Sequence, residues 1–153
     1  HAARDFQRRQ PALRALRGRT ELRLIQLLDE ASHRPYDLVL AGDPRTFGDL
    51  AKPAGLADIA SYADGIGVNK ELLMPLGPGG RVAMTTTLLG DAHAQKLQVH
   101  AYTFRQEVVF IPPDFDFDVV TEVRAYLALG VDGLFCDFPD LCRQAREAQA
   151  AGP

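Results

Sequence analysis

Residues whose side chains could bind or transform a substrate gather in one apolar segment, residues 97–105. His100 and Tyr102 are two residues apart, so in a strand both side chains project from the same face. Arg105 follows at the end of the segment, where its guanidinium could bind a phosphate through charge-assisted hydrogen bonds. These three residues are therefore candidates for a pocket wall. The alternatives are packing of the two rings under a helix, and an ion pair between Arg105 and Glu107.

Gln26 is a polar residue inside the apolar segment 22–28. A buried amide needs hydrogen-bond partners, and a substrate hydroxyl could be one of them. Gln26 is therefore a fourth candidate for substrate binding. Neighbouring backbone groups could satisfy the same amide, and the sequence favours neither interpretation.

Most of the other polar residues favour structural roles. Asp64 and Asp132 each precede a predicted strand, which indicates turns, and Asp137 lies just before Pro139, which indicates a helix cap. The segment 77–80 lacks the Lys-Ser/Thr pair of a phosphate-binding loop, so it predicts a turn. Three further histidines show no metal-binding spacing and are expected to face solvent: His1, His33 and His93.

The two cysteines, Cys136 and Cys142, are six residues apart. A disulfide framework needs more cysteines, and a zinc site needs more ligands at tighter spacing. We therefore expect both to behave as small apolar residues.

Composition excludes several classes of partner. The 153 residues are 46% hydrophobic, enough to bury a single core, and the net charge of −3 argues against a basic face for nucleic acid. No apolar run approaches the roughly 20 residues that a membrane-spanning helix needs.

The first residues lack an initiator methionine and a signal sequence. They predict either a processed chain or a fragment.

The elements that would position these residues form an α/β repeat. Strands are predicted at 22–28, 64–68, 97–103 and 131–136, and helices at about 4–17, 56–63, 119–130 and after residue 137. Residues 29–53 are predicted as a long loop, and 81–96 are ambiguous. A complete eight-stranded TIM barrel takes about 250 residues. About four βα units therefore predict half of such a barrel, or a small open sheet.

Several segments resemble glycerophosphodiester phosphodiesterases of bacteria and plants, in the correct order. They are residues 24–28, the loop 36–46, and residues 62–67, 100–115 and 130–140. The resemblance implies that residues 1–153 are the C-terminal half of a TIM-like (β/α)8 barrel, with the catalytic N-terminal half absent. It also implies hydrolysis of glycerophosphodiesters to an alcohol and glycerol 3-phosphate.

The family's chemistry implies a divalent metal, calcium or magnesium. Its motifs are His-Arg-Gly and Glu-x-Asp, with a second histidine and a further glutamate, because carboxylates hold the hard cation and histidines transfer protons. Neither motif occurs in this sequence. We therefore expect no metal ligand and no catalytic residue in the chain, which would be inactive alone. It would supply substrate-pocket walls through Tyr102, His100, Arg105 and Gln26.

Two other hypotheses stay open. One is a non-catalytic α/β binding or scaffold module, and the other is a fragment of an unrelated TIM-barrel lyase. Lys70 is not clearly placed at a strand end, which argues against Schiff-base chemistry. A half barrel would leave strand edges unpaired, so self-association is expected. The resemblance points to a periplasmic or extracellular location.

Overall fold

Four parallel strands form the centre of the computed structural model, which describes residues 9–150. They are β1 (Ile25–Leu28), β2 (Gly65–Asn69), β3 (Gln98–Phe104) and β4 (Gly133–Cys136). Each strand pairs in parallel with the next one in the chain, in the order β1-β2-β3-β4. Every connection therefore moves one strand across the sheet, as in a barrel. The four predicted strands are confirmed, although each begins slightly later than expected.

Helices connect and flank these strands. They are α1 (Arg9–Leu16), α2 (Tyr36–Leu40), α3 (Phe47–Leu50), α4 (Pro53–Ala60), α5 (Leu88–Ala94), α6 (Val119–Leu129) and α7 (Pro139–Ala150). Residues 4–8 of the first predicted helix lie outside the described residues. The helix predicted at about 119–130 ends at Gly130, whose φ of 107° is a left-handed conformation that favours glycine.

The prediction of one long loop at 29–53 is wrong, because α2 and α3 lie within it. A capping box starts α3: the Thr46 hydroxyl accepts a hydrogen bond from the Asp49 amide, and the Asp49 carboxylate accepts one from the Thr46 amide. Phe47 and Leu50 are then buried in the core. Local capping and burial of these two residues stabilise a helix too short to show periodicity.

The two faces of the sheet differ in what covers them. One face packs against the helices, and its side chains are buried; the Phe104 ring, for example, lies 5.0 Å from the Tyr126 ring of α6. The opposite face carries Ile25, Leu27 and Phe135, which remain partly or well exposed. We call this second side the open face.

Asp64 and Asp132 secure the N-terminal edge of the sheet. The Asp64 carboxylate accepts a hydrogen bond from the Leu24 amide at 2.8 Å, and the Asp132 carboxylate accepts one from the Val99 amide at the same distance. The structural roles predicted for both acids are thus confirmed. His93, expected to face solvent, contacts Asp132 at 2.9 Å while remaining partly exposed.

The glycine-rich segment between β2 and α5 is a turn, as predicted. Residues Pro78–Gly80 form a 3₁₀ turn, closed by an antiparallel bridge between Leu76 and Val82. Gly79 and Gly80 have φ angles of 72° and 69°, a left-handed conformation that favours glycine. The glycines therefore serve backbone geometry in this turn.

Cys136 and Cys142 form a disulfide, so the expectation of two small apolar thiols is wrong. Cys136 ends β4, and the chain turns at once into α7, which carries Cys142. This reversal brings the two sulfurs together. A pair of cysteines gives no framework pattern, so the sequence alone did not reveal the bond.

We expect reduction of this disulfide to lower the free energy of unfolding by about 2 kcal/mol, because a crosslink across a short loop removes modest entropy from the unfolded chain. Urea unfolding with and without a reductant measures the change. The sequence contains no other cysteine, so the reductant acts on this bond alone. Cys142→Ser is the control and should not respond to the reductant. An unchanged midpoint for the native sequence would contradict the prediction.

Candidate functional site

The C-terminal ends of the four parallel strands meet at one edge of the sheet, beside a cavity of about 710 Å³. We call it the mouth cavity. Strand ends and the β3–α6 loop (residues 105–118) supply much of its lining. The lining residues are Glu30, Asn69, Lys70, Glu71, Leu76, Gly79, Gly80, Tyr102, Thr103, Arg105, residues 108–113 and Phe117. In barrels the functional site lies at this edge, so the mouth cavity is the candidate site.

Tyr102 places a hydroxyl at this edge. Its ring lies on the open face, with its centroid 6.4 Å from that of Phe135, and its hydroxyl donates a hydrogen bond to the Leu28 carbonyl at 2.9 Å. Burial raises the pKa of Tyr102 above its usual range. The side chain therefore keeps its proton and can act as a hydrogen-bond donor, not as a base.

His100 lies on the same face of β3, nearer the start of the strand. Its ring centroid is 6.3 Å from that of Phe135. A Cβ atom on Gly133 would come within 2.9 Å of the His100 ring, so the glycine makes room for it. Both rings thus pack against Phe135 from one face of β3, and the two-residue spacing predicts that shared face. His100 itself is not part of the mouth cavity lining.

Arg105 is held by carboxylates. Its Nη2 lies 2.6 Å from Glu107 Oε1, and its Nε lies 3.3 Å from Asp137 Oδ2. The guanidinium also stacks over the Phe110 ring at 4.6 Å. The hydrogen bond with Glu107 raises the pKa of Arg105 and lowers that of the glutamate. The ion pair weighed as an alternative is present, and Asp137, predicted as a helix cap, joins it.

Gln26 lies apart from the other three candidates. Its side chain is 4% exposed and sits among the packed residues, where Nε2 donates to the Leu27 carbonyl at 3.0 Å. Its Oε1 accepts a hydrogen bond from the Tyr62 hydroxyl at 3.2 Å. Both ends of the amide are thus satisfied within the protein. The structure does not bring Gln26 to the open face, so we do not include it in the site.

Lys70 and Glu122 form a buried ion pair that the sequence patterns did not predict. Lys70 follows β2 directly, contrary to the expectation that no lysine stands at a strand end. Its Nζ lies 2.6 Å from Glu122 Oε1 and donates to the Phe110 carbonyl at 2.8 Å. Glu122 is fully buried, and burial raises its pKa against the opposing effect of Lys70. These contacts tie the β3–α6 loop to the sheet and engage the Lys70 amine.

The sequence contains one sign of this pair: an acidic residue, Glu122, lies on the apolar side of a predicted helix. Glu122 lies between Val119, Val123 and Tyr126 in the helical stripe of α6. A carboxylate at such a position requires a partner. The sequence could not identify Lys70, which is 52 residues away.

The described residues do not fit a metal site. Within residues 9–150, no group of three or more histidine, cysteine, aspartate or glutamate side chains is arranged to hold a metal ion. Asp29 and Asn69 lie at the strand ends, 3.5 Å apart, without a third ligand group of this kind. In the same part of the chain, no helix is both long and apolar enough to cross a membrane.

Comparison with known proteins gives a consistent family match. Residues 8–141 match the profile of the Glycerophosphoryl diester phosphodiesterase family. A glycerophosphodiester phosphodiesterase of Arabidopsis thaliana is 34% identical over 110 residues, which cover 71% of this chain and 29% of the relative. A glycerophosphodiester phosphodiesterase of Haemophilus influenzae is 29% identical over 133 residues, which cover 78% of this chain and 34% of the relative. The chain spans about a third of the length of these curated relatives.

Proposed function

The chain belongs to the glycerophosphoryl diester phosphodiesterase family, and on this premise we propose that it forms one wall of a pocket that binds a glycerophosphodiester. Members of the family are hydrolases with a TIM-like barrel fold, and the four-stranded parallel sheet is consistent with part of such a barrel. The observation that carries the proposal is that His100 and Tyr102 lie on the open face of β3, while Arg105 follows directly after its C-terminal end.

Each of these residues has a distinct role in the proposed pocket. Tyr102 keeps its proton and can donate a hydrogen bond to a phosphodiester oxygen in place of the Leu28 carbonyl. His100 extends the ring-lined surface with Phe135. Arg105 is oriented by Glu107 and Asp137, and a guanidinium has further N–H groups that can reach a phosphate oxygen. These roles bind and orient the substrate and transfer no proton.

Divalent-metal dependence is general in the family, and carboxylates supply the hard oxygen ligands that such ions need. The described residues of this chain do not fit that role, and the sequence contains neither His-Arg-Gly nor Glu-x-Asp. We propose that hydrolysis to an alcohol and glycerol 3-phosphate requires groups that are not among these 153 residues, with calcium or magnesium as the ion.

We expect the 153-residue chain alone to release no glycerol 3-phosphate from glycerophosphocholine, because it lacks the acid, base and carboxylate motifs. An enzyme-coupled assay for glycerol 3-phosphate, run with calcium, with magnesium and with a chelator, measures this. The three conditions should give the same background rate. Steady turnover that the chelator abolishes would contradict the proposal that this chain only supplies pocket walls.

The outer strands support a proposal about association. Among the described residues, β1 and β4 each pair with a single neighbour, so each leaves one edge unpaired. Unpaired edges are templates for further strand pairing. We expect the isolated chain to form dimers or larger species, with a sedimentation coefficient that rises with concentration. A monodisperse monomer that unfolds cooperatively would contradict this expectation.

A further inference from the structure

The β3–α6 loop presents apolar side chains to solvent at the rim of the mouth cavity. Those that are exposed and also line the cavity are Val108, Val109, Phe110 and Phe117, with Leu76 from the glycine-rich turn. Val109 is 83% exposed. A contiguous group of exposed apolar residues marks a contact site for a ligand or a partner, whereas single exposed residues need no explanation. We call these five residues the apolar rim.

The apolar rim is held in place by the body of the protein. Lys70 donates a hydrogen bond to the Phe110 carbonyl at 2.8 Å, and Arg105 stacks on the Phe110 ring. Ile111 and Phe115, in the same loop, are buried in the core. The exposed side chains therefore belong to an anchored loop, and its apolar surface is preorganised for a ligand.

The charged residues of the mouth cavity indicate which part of a phosphodiester the apolar rim can accept. Two cations line the cavity, and both are paired: Lys70 with Glu122, and Arg105 with Glu107 and Asp137. The carboxylates of Glu30 and Glu71 also line it. Within the described lining, no charged side chain comes from the apolar rim itself, so the rim is suited to an uncharged, apolar group.

We infer that the mouth cavity accepts the alcohol portion of the phosphodiester, and that the apolar rim selects an alcohol with an aliphatic chain over a small polar one. The inference rests on the proposed function, because the phosphodiester must first bind beside Tyr102 and Arg105. The added binding energy comes from burial of methylene groups against Val108, Phe110 and Phe117, which increases affinity about fourfold for each group buried.

Calorimetric titration of the full chain with glycerophosphodiesters of ethanol, butanol and hexanol tests the inference. The dissociation constant should fall on the order of 200-fold from the ethyl to the hexyl ester if all four added methylene groups are buried. Val108→Asn should weaken binding progressively more from the ethyl to the hexyl ester, so that much of the gain with chain length is lost. Met84→Gln is the matched control: Met84 is 87% exposed but does not line the mouth cavity, so its replacement should preserve the whole series. Circular dichroism checks that both variants fold.

Three outcomes would overturn the inference. If the ethyl ester binds and chain length has no effect, the rim does not select the alcohol, while the proposed function stands. If no ester binds, and glycerophosphocholine does not bind either, the proposed function fails as well. If the series is flat and Val109→Asn instead abolishes binding to phosphatidylcholine vesicles, the apolar rim is a membrane contact.

Discussion

Replacing Glu122 with alanine is expected to lower the free energy of unfolding by about 3–5 kcal/mol, because it leaves the buried ammonium of Lys70 without its carboxylate. The distance from Lys70 Nζ to Glu122 Oε1 is only 2.6 Å, and Glu122 has no exposed surface. Lys70 also holds the Phe110 carbonyl, so loss of the pair should loosen the β3–α6 loop and with it the mouth cavity.

The double variant Lys70→Met/Glu122→Leu is the control for this prediction. It removes both charges and fills their volume with apolar groups, which often restores stability. Urea unfolding of Lys70→Met, Glu122→Leu and the double variant, each against the native chain, forms a cycle that isolates the energy of the pair. We expect the double variant to be clearly more stable than Glu122→Ala. If the double variant loses as much free energy of unfolding as the two single variants together, the two side chains are not strongly coupled.

Gly55→Ala is expected to destabilise the protein by about 1–3 kcal/mol through overpacking. Gly55 lies in α4, where an added Cβ would overlap the carbonyl oxygen and the Cα of Leu50. Both are backbone atoms, and Leu50 is itself buried in α3. The chain therefore cannot relieve the clash by rotating a side chain, and α3 and α4 must separate.

Gly90→Ala is the matched control, since it adds the same methyl group to a helix with open space. An added Cβ at Gly90 has no atom within 4 Å, so better helix propensity should raise stability by about 0.5–1 kcal/mol. Urea midpoints of the two variants should therefore move in opposite directions. If Gly55→Ala and Gly90→Ala destabilise the protein equally, the close contact with the Leu50 backbone is not the cause of the loss at Gly55.

The strands could be predicted because apolar runs recur along the chain with helices between them. The order of the sheet then follows from the rule that consecutive βα units lie side by side. The short helices α2 and α3 could not be found by periodicity, since a four- or five-residue helix shows too little of it. The Thr46–Asp49 spacing was the readable signal for α3.

Part of the candidate site could also be predicted. The alternation of side chains along a strand correctly puts His100 and Tyr102 on one face. The same rule could not decide which face of β1 carries Gln26. The neighbouring residues on both faces of the strand are apolar, so neither face is marked as the buried one. The Lys70–Glu122 pair depends on tertiary packing between residues 52 positions apart, which no local pattern specifies.

We propose that the C-terminal edge of the sheet binds a glycerophosphodiester. Titration of the isotope-labelled chain with glycerophosphocholine, followed by amide NMR shifts, tests it most directly. We predict saturable shifts for Tyr102, Arg105 and the β3–α6 loop, and weaker binding by Tyr102→Phe. Amides near Asp64 and Asp132, at the opposite edge, should not move. Absence of saturable shifts, or shifts confined to that opposite edge, would contradict the claim.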